Sequence, residues 1–183
     1  GEKMSKSLGN FTTIQALLEG HWPPYPQPVN PMAIRLFVLQ AHYRKPLDFT
    51  PMAIAAAEKG WRTLHTALTA KLPIASDTRL IDELDAEAVE RFQTAMDDDL
   101  NTAAALAVLF ELAKSIQRAV NLRQHQAQKQ TQQLSDQQLH TAQQTLMQLS
   151  DVLGLEAALE PTPALADLDI DWVENLVNQR KTA

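Results

Sequence analysis

The residues best suited to chemistry stand at the very beginning of the sequence. Lys3 and Lys6 are three positions apart, and Ser5 and Ser7 lie beside them in a short stretch that also contains glycine. Lysine brings a mobile positive charge to phosphate, serine hydroxyls donate hydrogen bonds to phosphate oxygens, and glycine lets a backbone approach a ligand closely. Such a loop can stabilise the negative charge that develops on a pyrophosphate leaving group. The same residue types are also compatible with an ordinary basic surface loop.

Three segments of the sequence resemble one family of enzymes. The complete string Lys3-Met4-Ser5-Lys6-Ser7 resembles the KMSKS signature of class I aminoacyl-tRNA synthetases. The stretch from His42 to Phe49 resembles the His-Tyr-Arg-x-Pro-Leu-x-Phe/Tyr segment of the cysteinyl-tRNA synthetases. Residues 95–102 are similar to the Ala-Met-Asp-Asp-Asp-Phe-Asn-Thr signature of that family's helical domain, with Leu100 in place of the usual aromatic residue.

That resemblance implies a specific reaction and specific partners. Members of the family activate cysteine with ATP to an enzyme-bound adenylate, release pyrophosphate, and then esterify the terminal adenosine of tRNA(Cys). Carried onto this sequence, Lys6 is the catalytic residue that stabilises the pyrophosphate-side charge of the transition state. The residues implied to contact ATP, which binds with Mg²⁺, are Lys3, Met4, Ser5, Lys6 and Ser7. The implied location is the cytoplasm, and no membrane partner is expected.

Two features of the family are absent from these 183 residues. There is no HIGH motif, and there is no cysteine to supply the thiolate ligands of the family's zinc site. Because the sequence opens inside a motif and closes on a helical pattern, we interpret it as a fragment. We therefore expect zinc only in a missing catalytic domain, and we expect no aminoacylation by the fragment alone.

Two other functions remain open at this stage. One is a cysteine ligase paralogue that makes a small thiol instead of charging tRNA, although such relatives lack the full helical extension. The other is a non-catalytic helical interaction module, which would require the match at Lys3–Ser7 to be accidental.

The sequence predicts an all-α fold. Alanine and leucine are abundant, apolar residues recur at helical spacing, and alternating β-branched runs are absent. The predicted organisation is a KMSKS loop with short stem-contact helices in 1–50, an antiparallel helical-bundle tRNA-binding domain in 51–160, and a linker with the start of a further helix in 161–183. Helix starts are predicted at Thr12 or Thr13, Asn30, Thr50, Asp85, Asn101, and Ser135 with its capping-box partner Gln138. The helices that begin at Asn30 and Thr50 are predicted to reach about Ala41 and Lys71.

Charge is unevenly distributed along the chain. The net charge is −6, but residues 1–75 hold 8 basic and 4 acidic side chains, whereas residues 76–183 hold 8 basic and 18 acidic ones. An acidic total argues against generic nucleic-acid binding, yet the basic first part permits local contacts. Phosphate contacts are predicted for five basic residues, with a solvated surface charge as the alternative for each: Arg35, Arg44, Lys45, Lys59 and Arg62.

No metal site is predicted in this sequence. The acidic run 97–99 is interpreted as favourable negative charge at the N-terminus of the helix that Asn101 caps, rather than as a set of metal ligands. The 5 histidines have no metal-ligand spacing. Trp61 and Trp172 fall on apolar stripes and are predicted core residues, whereas Trp22, among prolines, is a candidate surface anchor against the missing catalytic domain. The longest purely apolar run, 103–110, is too short to cross a membrane.

Overall fold

The computed structural model describes residues 4–5, 11–72, 84–124 and 134–157. Within these ranges the chain forms helices and no strand, which confirms the predicted all-α class. The helices are α1 (Ile14–Leu18), α2 (Pro31–Leu39), α3 (Pro51–Leu68), α4 (Ala86–Asp97), α5 (Thr102–Gln124) and α6 (Asp136–Val152). The predicted ATP-loop residues Lys3, Lys6 and Ser7, the linker after 160 and the helix with Trp172 lie outside the described residues.

Helix starts follow from local side-chain chemistry. The Thr13 hydroxyl accepts from the Ala16 backbone N–H, and the Asn30 carboxamide oxygen accepts from the Met32 N–H. Thr50 and Asp85 cap α3 and α4 in the same way. Each such bond satisfies one of the backbone donors that a helix start leaves unpaired. The predicted caps are therefore confirmed, including the reciprocal capping box at the start of α6 and the Asn101 cap of α5.

Helices α2 to α6 enclose one apolar core. Helix α5 packs against α3, α4 and α6, and α2 packs against α3. The largest fully buried apolar side chains come from several of these helices: Trp61, Leu36, Ile54, Leu64, Leu109, Ile116, Leu139 and Leu146. Burying a side chain of this size contributes roughly 1.5–3 kcal/mol. Trp61 is thus a core residue, as its place on the apolar stripe predicts.

An ion pair joins the end of α5 to the start of α6. The Arg123 Nη1 atom lies 2.7 Å from the Asp136 Oδ1 atom, and Arg123 Nη2 donates to the Leu134 carbonyl oxygen at 2.9 Å. The last turn of α5 therefore meets the first turn of α6, as in an antiparallel helix pair. Arg123 precedes and Asp136 follows residues 125–133, which are outside the described ranges.

Two helices end earlier than the sequence predicts. Helix α2 ends at Leu39 rather than near Ala41, and α3 ends at Leu68 rather than near Lys71. The end of α3 is fixed from another helix, because the Gln143 Nε2 atom of α6 donates to the carbonyls of Ala67, Leu68 and Ala70 at 3.1, 3.3 and 2.8 Å. Periodicity within α3 cannot reveal a cap that comes from α6.

The Trp22 side chain packs within this chain. Its ring centroid lies 5.0 Å from that of Phe49, and the ring centroid of Phe37 lies 5.5 Å from that of Phe49. Trp22 is only partly exposed and packs against the core. It therefore anchors the proline-rich stretch 23–28 to α2 and to the segment before α3, which differs from the surface anchor expected from the sequence.

Candidate functional site

The predicted ATP loop enters the described structure at only two positions. Met4 is 38% exposed and Ser5 is partly buried, and neither belongs to a helix. Helix α1 follows the loop and is held to the core by the buried Leu17, whose carbonyl accepts from the Val29 N–H at 2.9 Å. The loop is therefore attached at its C-terminal side to a short, anchored helix.

The turn after α2 meets the turn between α4 and α5 through a set of polar contacts. Arg44 approaches Asp99 at two points, with its Nε atom 3.1 Å from Oδ2 and its Nη2 atom 3.1 Å from Oδ1. The Tyr43 hydroxyl donates to Asp99 Oδ1 at 2.7 Å, and Arg44 Nε also donates to that hydroxyl at 2.8 Å. His42 stacks on the Tyr43 ring with centroids 5.0 Å apart, and its Nε2 atom lies 3.8 Å from Asp99 Oδ2. We call His42, Tyr43, Arg44 and Asp99 the junction.

The backbone on the acidic side of the junction is sharply turned. Asp99 and Leu100 both have a φ of 52°, in the left-handed region that L-residues seldom adopt. A hydrogen bond from the Thr102 hydroxyl to the Leu39 carbonyl, 2.7 Å long, docks this turn on the end of α2. The strain is therefore held in place by contacts to the preceding part of the chain, as is common where a structure must fix a side chain.

The acidic run does not act as a single group at the start of α5. Asp97 is the last residue of α4, Asp98 follows it as the C-cap and accepts from the Asn101 Nδ2 atom at 3.5 Å, and Asp99 pairs with Arg44. All three carboxylates precede the Asn101 cap of α5, as the sequence interpretation has it, and Asp99 in addition pairs with Arg44. Among the described residues, no cluster of histidine and carboxylate side chains is arranged to hold a metal ion.

Two of the five basic residues predicted to contact phosphate already have protein partners. Arg44 binds Asp99, and Arg35 Nη1 donates to the Leu153 carbonyl at 3.3 Å, beside Gly154. Cations at a helix C-terminus interact favourably with its exposed carbonyls. Arg35 therefore stabilises the C-terminal end of α6. Lys45 is exposed on the turn that holds the junction. The structure thus leaves Lys45, Lys59 and Arg62 as the predicted cations without such a partner among the described residues.

Lys59 and Arg62 line a hollow between α3 and α5. Its volume is about 450 Å³, and its remaining walls are Thr63, Thr66, Ala70, Gln117, Val120 and Asn121. The Gln117 Nε2 atom donates to the Thr63 carbonyl at 2.7 Å and so ties the two helices together beneath it. Sequence reasoning missed the basic residues of α5 that continue this surface, Lys114 and Arg118. Lys114 and Arg118 are four residues apart, and Asn121 follows three residues later. This spacing places the three side chains on one face of a helix, and it was the signal that the sequence offered.

A tyrosine holds the proline-rich stretch against α3. The Tyr25 hydroxyl donates to the Glu58 carboxylate, and this hydrogen bond, with burial and the nearby negative charge, raises the pKa of Tyr25 above its ordinary value of 10.0. Glu58 is the only carboxylate adjacent in sequence to Lys59, and its Oε2 atom is occupied by this bond. Arg62 lies near this pair, and its positive charge partly opposes the rise in the pKa of Tyr25.

Comparison with known proteins finds similarity along the whole chain. Residues 1–59 match the family model described as the tRNA synthetases class I (C) catalytic domain, and residues 91–158 match the DALR domain. The whole chain is 47% identical, over 190 residues, to a cysteine–tRNA ligase of Nostoc sp. and 47% identical, over 193 residues, to that of Trichormus variabilis. A cysteine–tRNA ligase of Cyanothece sp. is 46% identical over 199 residues. This chain is homologous throughout to the cysteine–tRNA ligases. It spans 38% of the length of each of these three relatives.

The two matched regions of the ligase family meet at the junction. Arg44 lies within the part that matches the catalytic domain, and Asp99 lies within the part that matches the DALR domain. Helix α3 extends beyond the end of the first match at residue 59 to Leu68, and the second match begins at residue 91. In the ligase homologue described here, the contact of Arg44 with Asp99 therefore joins the two regions directly.

Proposed function

We propose that this chain supplies the ATP-contacting loop and the tRNA-contacting helices of a cysteine–tRNA ligase. The observation that carries the proposal is the similarity to cysteine–tRNA ligases over 100% of the chain. The chain covers 38% of those relatives, so the cysteine site and the rest of the nucleotide site belong to other parts of such a ligase. The absence of cysteine from the sequence is in keeping with a zinc site located elsewhere in the protein.

The proposed reaction has two steps. A carboxylate oxygen of cysteine attacks the α-phosphorus of ATP, the bond to the pyrophosphate oxygen breaks, and cysteinyl-adenylate forms. A ribose hydroxyl of the terminal adenosine of tRNA(Cys) then attacks the adenylate carbonyl, and AMP leaves. Mg²⁺ accompanies ATP and shares the neutralisation of its phosphates.

Lys6 acts in the first of these steps. Its ammonium group stabilises the charge that grows on the departing pyrophosphate, where a preorganised cation lowers the barrier most. Lys3 adds a second positive charge, and Met4, Ser5 and Ser7 shape the loop and supply hydrogen bonds to ATP. The anchored helix α1 gives this loop a fixed C-terminal end, since Leu17 is buried and Thr13 caps the helix.

The helical part contacts tRNA in this proposal. The exposed cations Lys59 and Arg62 fit contacts to phosphate, which position an RNA without reading its sequence. Such a ligase acts in the cytoplasm. In the described part of the chain no helix is both long and apolar enough to cross a membrane.

Charging of tRNA(Cys) by the complete gene product tests this function. We expect labelled cysteine to become acid-precipitable with tRNA(Cys) and ATP, and not with a tRNA for serine. The 183-residue chain alone is the matched control and should charge neither tRNA. A cysteine conjugate of a small amine or alcohol, formed while tRNA(Cys) stays uncharged, would contradict the proposal and favour a small-thiol ligase. Absence of any cysteine-dependent ATP consumption would contradict both.

A further inference from the structure

The chain between α1 and α2 contains a short proline-rich stretch. Residues 21–28 include four prolines, and each proline fixes its own φ. Those prolines are exposed, whereas Trp22 and Tyr25 are partly buried and pack against the core. The Tyr25 N–H donates to the Trp22 carbonyl at 2.9 Å, which closes a tight turn over Pro23 and Pro24. We call residues 21–28 the strap.

The strap begins at the C-terminal end of α1. The Gly20 N–H donates to the Leu17 carbonyl at 3.3 Å and the His21 N–H donates to the Ala16 carbonyl at 2.7 Å, so these two donors finish the helix. Gly20 has a φ of 73°, and a Cβ at this position would lie 2.8 Å from the Pro28 nitrogen. The two ends of the strap therefore meet beside the end of α1.

The residue that follows the strap is tied to the same helix. Val29 is 3% exposed, and its N–H donates to the Leu17 carbonyl at 2.9 Å. Asn30 comes next and caps α2. The strap thus leaves the end of α1, returns to it, and continues directly into a helix of the core.

Two aromatic side chains attach the middle of the strap to other elements. The Trp22 and Phe49 ring centroids are 5.0 Å apart, and Phe49 in turn packs edge-on against Phe37 of α2 at 5.5 Å. The Tyr25 hydroxyl donates to the Glu58 carboxylate of α3. Because the prolines beside these anchors limit backbone adjustment, a displacement of either anchor is transmitted along the strap.

Helix α1 depends on these contacts for its position. It has five residues, of which Leu17 is buried, while Ile14 and Leu18 are 65% and 38% exposed. Isolated helices shorter than about 12–15 residues are marginal in water, so a helix of this length is not stable by itself. The place of α1 on the core is therefore set by Leu17 and by the contacts at the two ends of the strap.

We infer that Trp22 and Tyr25 are positioning residues for adenylate formation, because they hold the strap and, through it, the helix to which the ATP loop is joined. The inference rests on the proposed function, in which Lys6 acts on ATP eight residues before the start of α1. Neither aromatic side chain contacts ATP, and each acts through the strap. A displacement of about 1 Å in a positioned group can cost roughly 100-fold in rate, so loss of an anchor slows this step.

The test measures the two steps of the reaction separately in the complete gene product. Trp22→Ala removes the ring contact with Phe49, and it should lower kcat for cysteine-dependent pyrophosphate exchange about tenfold. The dissociation constant of cysteine should change less than about twofold, since the strap does not touch the amino acid. Single-turnover transfer from preformed cysteinyl-adenylate to tRNA(Cys) should keep the wild-type rate, because pyrophosphate has already left.

Three further variants separate positioning from loss of stability. Trp22→Phe keeps an aromatic ring at the contact and should restore exchange to within about threefold of the wild-type rate. Tyr25→Phe removes only the hydrogen bond to Glu58, and it should lower exchange less than Trp22→Ala does while transfer is kept. Gln143→Met loosens the other end of α3, and it should leave both steps unchanged. Circular dichroism and urea unfolding verify that each variant folds.

The outcomes distinguish this inference from the proposed function. Wild-type exchange in a folded Trp22→Ala protein would overturn the inference alone. Equal losses of exchange and transfer would also overturn it, because a smaller folded fraction lowers both steps together. If Trp22→Ala does not fold, the same two criteria apply to Tyr25→Phe. Failure of the wild-type protein to exchange pyrophosphate in the presence of cysteine would overturn both the inference and the proposed function.

Discussion

Arg44 and Asp99 are 55 residues apart in sequence and meet through two contacts of 3.1 Å. Each residue belongs to one of the family-like segments, and each lies in a different matched region. Tyr43 joins the same carboxylate, so one side chain of the α4–α5 turn holds the whole turn after α2. The geometry gives these two separate sequence signatures a shared structural role.

The interaction between Arg44 and Asp99 should contribute only modestly to the free energy of unfolding. Its side chains are 67% and 46% exposed, and exposed ion pairs contribute about 0.2–1 kcal/mol. A double-mutant cycle with Arg44→Gln and Asp99→Asn, followed by urea unfolding, should give a coupling in that range that shrinks in high salt. The exposed pair of Arg91 and Glu111 is the matched control. A coupling that is absent at low salt, or unchanged in 1 M salt, would contradict an ion pair.

Tyr25→Phe should destabilise the protein at neutral pH by about 1 kcal/mol, because the hydrogen bond to Glu58 is lost. The pKa of Tyr25 is raised by that bond, so its contribution is fully present below pH 10.0 and is lost as pH rises through the folded-state pKa. Unfolding midpoints measured from pH 7 upward should therefore converge for the wild-type and variant proteins at alkaline pH. A constant difference across that range would rule out the assigned bond.

Gln143→Met should shorten or loosen the end of α3 although the substitution lies in α6. Methionine fills a similar volume but cannot donate to the carbonyls of Ala67, Leu68 and Ala70. The expected loss is about 1–2 kcal/mol, since these terminal carbonyls lose their donor. Gln148→Met, at an exposed position of the same helix, is the control and should change stability by less than about 0.5 kcal/mol. Equal losses of unfolding free energy for the two substitutions, measured by urea unfolding, would contradict a capping role for Gln143.

Two glycines with positive φ should differ in their tolerance of alanine. Gly20 and Gly154 have φ of 73° and 64°, and a left-handed alanine costs about 1–2 kcal/mol at either position. A Cβ at Gly20 would lie 2.8 Å from the Pro28 backbone nitrogen, whereas one at Gly154 would lie 2.7 Å from Arg35 Nη1, the end of a flexible side chain. Gly20→Ala should therefore cost at least about 1 kcal/mol more than Gly154→Ala in thermal or urea unfolding. The reverse order would contradict the described turn at 20–28.

Helix starts were predictable because each cap is a local event. The hydroxyl of Ser135 and the side chain of Gln138 satisfy each other's backbone donors within one turn, so a window of four residues contains the whole signal. Asn30 before Pro31 is equally local. Helix ends were less predictable, because the donor that finishes α3 is Gln143, which follows it by more than seventy residues.

The roles of single charged residues were the least predictable part of the site. Arg35 and Arg44 appear in the sequence as basic residues among others, yet they bind Leu153 and Asp99, their partners 118 and 55 residues away. A one-dimensional charge pattern cannot separate a paired arginine from a free one. For the same reason the sequence did not single out Lys114 and Arg118. They lie in the acidic part of the chain, and only the fold brings them next to the hollow between α3 and α5.

The most direct test of the proposed function is cysteine-dependent exchange of pyrophosphate into ATP by the complete gene product, with and without Lys6→Ala. The wild-type protein should exchange only when cysteine is present. Because Lys6 acts on charge that exists in the transition state, its removal should lower the exchange rate by about 100-fold or more while the dissociation constant of cysteine changes less than about twofold. No cysteine-dependent exchange in the wild-type protein, or equal losses of exchange and cysteine binding in the variant, would contradict the account.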